Sequence, residues 1–279
     1  MALPLRRRVE KLLHLPADLL GAVASEEVRE DLLDSRHALS YFRHLARGNR
    51  IRRKRWFENI DASHPPVLLL HGFFGTRGSM FLLERRLTEE GLCTFSFNLG
   101  TVNTRDARAS AFLVHRKVEA ILEQARHVKR IDIVGHSLGG LIGLYYVKKL
   151  GGANKVRKLV MVGTPHRGTW AALGGVVMLG LLSESSWQLL PHSSFLTELQ
   201  RGPLPEGVEY FSIAAERDWI CPLSSTYLRG AHLVTVPFGH AGLVMSDLTY
   251  SKIAAALKRG VTPLEEAPDS YPTPWAPER

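Results

Sequence analysis

Between Pro66 and Lys258 the chain alternates short unbroken apolar runs with longer stretches in which apolar residues recur every three or four positions. The runs Val67–Leu70, Cys93–Phe97, Arg130–Val134, Val156–Val162, Glu209–Ala214 and His232–Pro237 predict strands. The stretches Ser79–Glu90, Ala107–Ala125, Leu138–Leu150 and Ser246–Lys258 predict helices. Strands that are apolar along their whole length bury both faces, so helices must cover the sheet on either side. The expected architecture is α/β, a doubly wound and mostly parallel sheet.

Three segments depart from that alternation. Residues 5 to 47 place Leu12, Leu13, Leu19, Leu20, Val23, Val28, Leu32, Leu33, Leu39, Phe42 and Leu45 at helical spacing among charges, which predicts two or three amphipathic helices. We read 1–60 as an N-terminal helical extension that docks on the main domain and lies outside the catalytic machinery. Between Gly168 and Gly207 a Gly-rich apolar stretch, AALGGVVMLGLL, and the following SESSWQLLPHSSFLTELQ are inserted between two predicted strands. An apolar insertion at that point is placed to fold over a site as a cap, so the catalytic domain is taken as 61–260 with a cap at about 168–207. From Thr262 the chain is rich in Pro and Glu without periodicity, and 261–279 is expected to be a disordered tail.

Composition narrows the picture in three ways. With 279 residues, 45% of them hydrophobic, the chain can bury one large core. Its net charge of +9 is concentrated early, in Arg6–Arg8 and in the cluster Arg50, Arg52, Arg53, Lys54 and Arg55. Such a patch suits an anionic membrane surface, and equally a solvated basic face; nucleic acid is not expected as a partner. The apolar positions after Arg8 are interrupted by Glu10, Lys11, His14 and Asp18, so no signal-peptide core is expected. The longest apolar candidate, Thr169–Ser183, falls short of the roughly 18 residues a membrane helix needs. A cytoplasmic or peripherally membrane-associated protein is the expectation, with Cys93 and Cys221 as buried reduced thiols.

The chemistry concentrates in IDIVGHSLGGLIGLYYV, where Gly135, His136, Ser137, Leu138 and Gly139 form G-x-S-x-G between a predicted strand and a predicted helix. That context places the Ser137 hydroxyl on a sharp turn, and the flanking glycines relieve the collisions the turn creates. The helix start adds backbone N–H groups where negative charge develops. A serine hydroxyl needs a base, and the base needs a carboxylate to orient it. In this architecture the chain order is serine, acid, histidine, each following a strand. Asp218 follows the strand ending near Ala214, and His240 follows the last strand within FGHAG. Glu216 is the rival acid, closer to the strand end. Asp247 is read as a charge at the start of the final helix. Oxyanion donors are expected at the N–H of Leu138 and, from the loop LLLHGFFG, at the N–H of Phe73.

These motifs resemble the bacterial lipases and esterases of the α/β-hydrolase superfamily: LLLHGFFG (Leu68–Gly75), GHSLGG (Gly135–Gly140), GTPHRGT (Gly163–Thr169), the Asp218 loop and FGHAGL (Phe238–Leu243). The resemblance spans Pro66 to Lys258. It implies an ester hydrolase with catalytic Ser137, Asp218 and His240, an oxyanion hole from Phe73 and Leu138, and a lid after GTPHRGT. Some relatives hold calcium near the histidine; the nearest aspartate here, Asp247, is far along, so neither a metal nor a cofactor is expected. The cap residues Trp170, Val177, Met178, Leu181 and Trp187 suit the acyl chain of a lipid ester, with short-chain esters as the alternative. Thioesterase or acyltransferase chemistry would use the same acyl-serine, and a catalytically silent scaffold that binds a partner is the non-enzymatic alternative.

Overall fold

A computed structural model describes residues 26–49, 65–100, 103–174 and 183–258. Helix α1 is Glu26–Leu45. Strand β1 (Val67–Leu70) leads through a 3₁₀ turn, Arg77–Met80, into α2 (Phe81–Glu89), β2 (Thr94–Ser96) and α3 (Ala107–Gln124). Then come β3 (Ile131–His136), α4 (Leu138–Lys149), β4 (Val156–Val162), and the short cap helices α5 (Glu184–Gln188) and α6 (Ser194–Gln200). The order closes with β5 (Glu209–Ala215), α7 (Leu223–Thr226), β6 (His232–Val236), α8 (Gly242–Met245) and α9 (Asp247–Lys258).

The six strands form one sheet in the order β2-β1-β3-β4-β5-β6, and every pairing is parallel. Alternate residues of the apolar runs supply its two faces. Leu68, Leu70, Ile131, Ile133, Leu159 and Met161 join one buried cluster with residues of α3 and α4. Val67, Leu69, Val134, Val160, Val162 and Ile213 join another with α2, α8 and α9. The doubly wound α/β expectation holds, and it aims the C-terminal strand ends at one rim.

The opposite rim is closed by charge. Arg157 grips the buried Asp132 through two bonds of 3.0 and 2.5 Å and also donates to Leu257 O. The Lys158 ammonium, itself buried, donates to Ala256 O at 2.8 Å. Two basic side chains thus satisfy carbonyls at the C-terminal end of α9, where the helix dipole favours cations.

β5 and β6 end within one residue of the expectation, and two strands differ from it at both ends. β3 continues past Val134 because Gly135 and His136 still pair with Met161 and Val162. β2 is shorter than Cys93–Phe97, although Val67 N–H donates to Cys93 O and Phe97 N–H to Leu69 O. Cys221 is buried as expected, whereas Cys93 is only half-buried; both are free thiols. Of the expected N-terminal helices only α1 falls within the described residues, as do the two ends of the cap. The tail, Val177, Met178 and Leu181 lie outside them. No helix among the described residues is long and apolar enough to cross a membrane.

Candidate active site

The turn from β3 to α4 places Ser137 at φ 54 and ψ −122, a left-handed conformation that a non-glycine residue adopts only when its surroundings impose it. What imposes it is backbone on every side. Ser137 N–H donates to Val162 O at 2.8 Å, and Ser137 O accepts from Gly140 N–H at 3.0 Å. A Cβ on Gly135 would lie 2.5 Å from Gly140 N, and one on Gly139 would run into the Leu70 carbonyl. The serine side chain itself is half-buried.

The loop after β1 packs directly on this turn. A Cβ on Gly72 would come within 2.9 Å of the Ser137 Cβ and 3.0 Å of His136 O. Residues 72–75 close on themselves through Gly75 N–H to Gly72 O at 3.0 Å, and the neighbouring rings of Phe73 and Phe74 meet edge to face at 4.5 Å. Phe73 is therefore carried by the loop that touches Ser137, and Leu138, fully buried, begins α4.

The loops carrying Asp218 and His240 converge from β5 and β6. His240 Nδ1 lies 2.5 Å from Asp218 Oδ2, with the carboxylate fully buried and the imidazole 14% exposed. The other carboxylate oxygen accepts from Ile220 N–H at 2.9 Å and Cys221 N–H at 2.8 Å, which holds the group in one orientation. The Cys221 thiol is pushed well up by burial and by the Asp218 charge, so it stays protonated. Glu216 is exposed and its amide donates to Val236 O, continuing the β5–β6 ladder; the carboxylate bonded to His240 is that of Asp218.

The end of β4 joins the two halves. Val162 binds Ser137, and a Cβ on the next residue, Gly163 (φ 57), would lie 3.2 Å from His240 Cε1 and 3.3 Å from Nδ1. The His136 ring packs 4.7 Å from that of His240. His136 is held well below the usual histidine range, first by complete burial and then by the charge His240 would carry. It is a neutral wall against the imidazole.

Two further buried side chains hold the loop that carries Phe73, His71 from within the LLLHGFFG motif and Asn103 from outside any motif. His71 is buried and its pKa falls to about 4 through desolvation. As a neutral ring it donates from Nδ1 to Gly72 O (3.2 Å) and accepts from Leu99 N–H at Nε2 (3.4 Å). Asn103, wholly buried at φ 49, donates from Nδ2 to His71 O at 3.1 Å and Gly72 O at 3.4 Å. It thereby fixes the loop carrying Phe73. Its only sequence signal is that asparagine tolerates the left-handed region.

The cap is tied to this loop. Ser185 Oγ donates to Asn103 O at 3.2 Å, Gln188 bonds Ala107 N–H and Asp106 at 2.7 Å each, and Glu198 pairs with Arg108 and Tyr145. Trp170 and Trp187 are 45% and 43% exposed on its surface. Beside the cap opens a groove of about 1260 Å³, bordered by Trp170, Arg167, Lys148, Tyr227 and Trp219; among the described residues, neither Ser137 nor His240 lines it. Asp247 stands apart, paired with Arg86 at the start of α9. Among the described residues no group of three or more His, Cys, Asp or Glu side chains has the geometry to hold a metal ion.

A family model for the alpha/beta hydrolase fold matches residues 65–234. The propeptide form of a Bacillus licheniformis lipase superposes with a TM-score of 0.65 at 17% identity, over 75% of this chain and 54% of that one. The mature form gives 0.60 at 16% identity, over 72% of this chain and 94% of that one. Lipase B of Aspergillus fumigatus gives 0.56 at 17% identity, over 70% and 53% of the two chains. The chain thus spans about half the length of the propeptide form, and at these identities the likeness speaks for the fold.

Proposed function

The chain belongs to the alpha/beta hydrolase fold family, and from that premise we propose that it is a serine-dependent carboxylic ester hydrolase whose substrates are lipid esters. One observation carries the reading. A serine held at φ 54 on the strand-to-helix turn shares the end of β4 with an imidazole whose Nδ1 is bonded to a buried carboxylate at 2.5 Å. Nothing in the packing of a fold requires that combination, whereas acyl transfer requires each part of it.

The chemistry runs in two steps. Ser137 Oγ attacks the ester carbonyl as His240 Nε2 takes its proton, and Asp218 keeps the other ring nitrogen protonated and stabilises the imidazolium. The N–H groups of Phe73 and Leu138 receive the oxyanion. His240 then protonates the departing alkoxide, leaving an acyl-serine. A water molecule, deprotonated by the same imidazole, attacks the acyl carbon; the carboxylic acid departs and Ser137 regains its proton.

The lipid part rests on the apolar character of the cap. Trp170, Leu173 and Trp187 are all more than two-fifths exposed, an expensive arrangement for large apolar side chains unless an acyl chain or an interface covers them. A peripheral contact with anionic membrane has similar support: Leu39 and Phe42 of α1 are 56% and 64% exposed beside the exposed Arg43, on a chain of net charge +9. The test is hydrolysis of p-nitrophenyl esters of increasing acyl length by the whole protein and by Ser137→Ala. Serine-dependent turnover that peaks at long chains is expected. A short-chain peak overturns the lipid assignment. Absence of serine-dependent turnover on every ester overturns the ester hydrolase itself, and turnover confined to a thioester series would make it a thioesterase.

A further inference from the structure

Helix α1 faces the candidate site with one polar stripe, the side chains of Glu30, Asp34, His37, Tyr41 and His44, and its C-terminal end and the turn after it reach the segment that leaves the loop of Phe73. Their spacings of three and four residues put them on a single face. At the acid loop, Arg217, the residue before Asp218, pairs with Glu30 and with Asp34 Oδ2 at 2.9 Å. At the base loop, Asp34 Oδ1 accepts from Gly239 N–H at 2.9 Å, immediately before His240. One turn on, the His37 ring meets Phe238 edge to face at 5.1 Å, and a Cβ on Gly242 would lie 3.1 Å from His37 Nδ1. Tyr41 then lies 6.1 Å from the ring of His136, the residue before the nucleophile. At the far end Thr76 Oγ1 donates to Leu45 O at 3.0 Å, Gly78 N–H to Gly48 O at 3.1 Å, and Arg77 N–H to Asn49 Oδ1 at 3.0 Å, all on the segment that leaves the loop of Phe73.

We propose that α1 is part of the catalytic unit and that Asp34 is its positioning residue, holding the Asp218 and His240 loops at their working separation. The inference rests on the acid and base assigned above. The geometry favours Asp34 over its neighbours because a single carboxylate spans both loops: one oxygen takes the amide next to the base, and the other takes the guanidinium next to the acid. Arg217 N–H also donates to Phe238 O at 3.1 Å, so the loops touch directly on this side, and Asp34 closes the ring of contacts from outside. Glu30 touches only the acid loop, and His37 only the base loop. A rigid bracket of this kind matters because even a small displacement of a general base from its productive geometry lowers the rate steeply.

The test uses the full-length protein with Asp34→Ala and Asp34→Asn; the amide oxygen of the second variant still accepts from Gly239 while its charge on Arg217 is gone. Asp34→Ala is expected to lower kcat on a soluble ester by roughly 10- to 100-fold with KM unchanged, and Asp34→Asn to recover part of that loss. Two readouts need no turnover. Hydrogen exchange at Gly239 and His240 should quicken in Asp34→Ala while the amides of β3 and β4 stay protected. The downfield proton resonance of the His240 Nδ1–H should broaden or shift, as it would vanish in Asp218→Ala. Wild-type kcat together with unchanged exchange and an unchanged resonance overturns the bracket. If Asp34→Ala loosens the sheet amides as well, the exchange pattern of Asp34→Asn decides, and general loosening there too makes α1 a stability element and overturns the positioning role. Failure of the ester hydrolase assignment would appear separately, as a wild type without Ser137-dependent turnover whose loop exchange still responds to Asp34→Ala.

Discussion

The proposed nucleophile and the proposed acid–base pair reach the same rim by different physics. Ser137 is held by close backbone packing, through glycines whose missing side chains let the neighbouring strand at Leu70, the loop at Gly72 and the helix at Gly140 press against the turn. Asp218 and His240 sit on loops bonded to residues far away in sequence, Asp34 and Glu30, through Arg217 and Gly239. The first arrangement is steric and leaves no room for change. The second is a network of polar bonds in which one member can be altered while the backbone stays where it is. The same difference decides what each half does when it is perturbed.

The largest effect is expected from Asp218→Asn. The asparagine oxygen can still accept from Ile220 N–H and Cys221 N–H, so the loop keeps its shape. Its NH₂ group then faces His240 Nδ1 and forces the proton onto Nε2, which leaves the base unable to accept one from Ser137. We expect kcat to fall by roughly 10⁴-fold with thermal stability nearly unchanged. The exposed rival, Glu216→Gln, should leave turnover alone. Equal losses from the two variants would remove Asp218 from the mechanism.

On the nucleophile side the sign of the comparison reverses, and the fold is what breaks. A Cβ on Gly139 would overlap the Leu70 carbonyl and come within 2.9 Å of His71 O, both backbone atoms of the central strand region. Gly139→Ala should therefore cost ~3 kcal/mol or more in urea unfolding, even though alanine is the better helix former at an exposed site. A stable and active Gly139→Ala would show that the turn is not sterically fixed and would erase the contrast between the two halves.

That contrast also explains what could be read along the chain. β4 has the bounds expected of it because the apolar run Leu159–Val162, led by Val156, is stopped by Gly163. The serine turn announces itself because the glycines that permit it, Gly135, Gly139 and Gly140, lie within three residues of Ser137, although Leu70, Gly72 and Val162, which also hold it, are distant in sequence. Helix α1 misleads. Its apolar periodicity suggests a buried stripe that includes Leu39 and Phe42, yet these point outward. The face that docks is the polar one, because the surface it meets offers a guanidinium and a backbone amide beside the rings of Phe238 and His136. Helical spacing identifies a stripe but says nothing of the chemistry waiting for it 180 or more residues along the chain. Asn103 is hidden in the same way: its role depends on two carbonyls at His71 and Gly72, which no local pattern connects to it.

The smallest expected effect tests whether the nucleophile side is rigid in charge as well as in shape. His71 is buried and neutral beneath the loop that carries Phe73, with its pKa lowered from 6.5 to about 4. The unfolded chain takes up a proton below about 6.5, while the folded one refuses it until about 4. Stability from this residue is therefore intact above the unfolded value and is lost as pH falls through the window between the two. From pH 7 to 5.5 the loss should be about 1 kcal/mol, and it adds to that of His166, which burial lowers to about 3. Urea midpoints across this range should slope less steeply for His71→Asn than for the wild type. The mechanism is specific: Nε2 accepts the Leu99 amide, so a proton there would replace an attraction with a repulsion and loosen the loop that carries Phe73. Parallel slopes for the two proteins would mean that water or a shifted backbone reaches His71, and that the loop over Ser137 is softer than the glycine contacts imply.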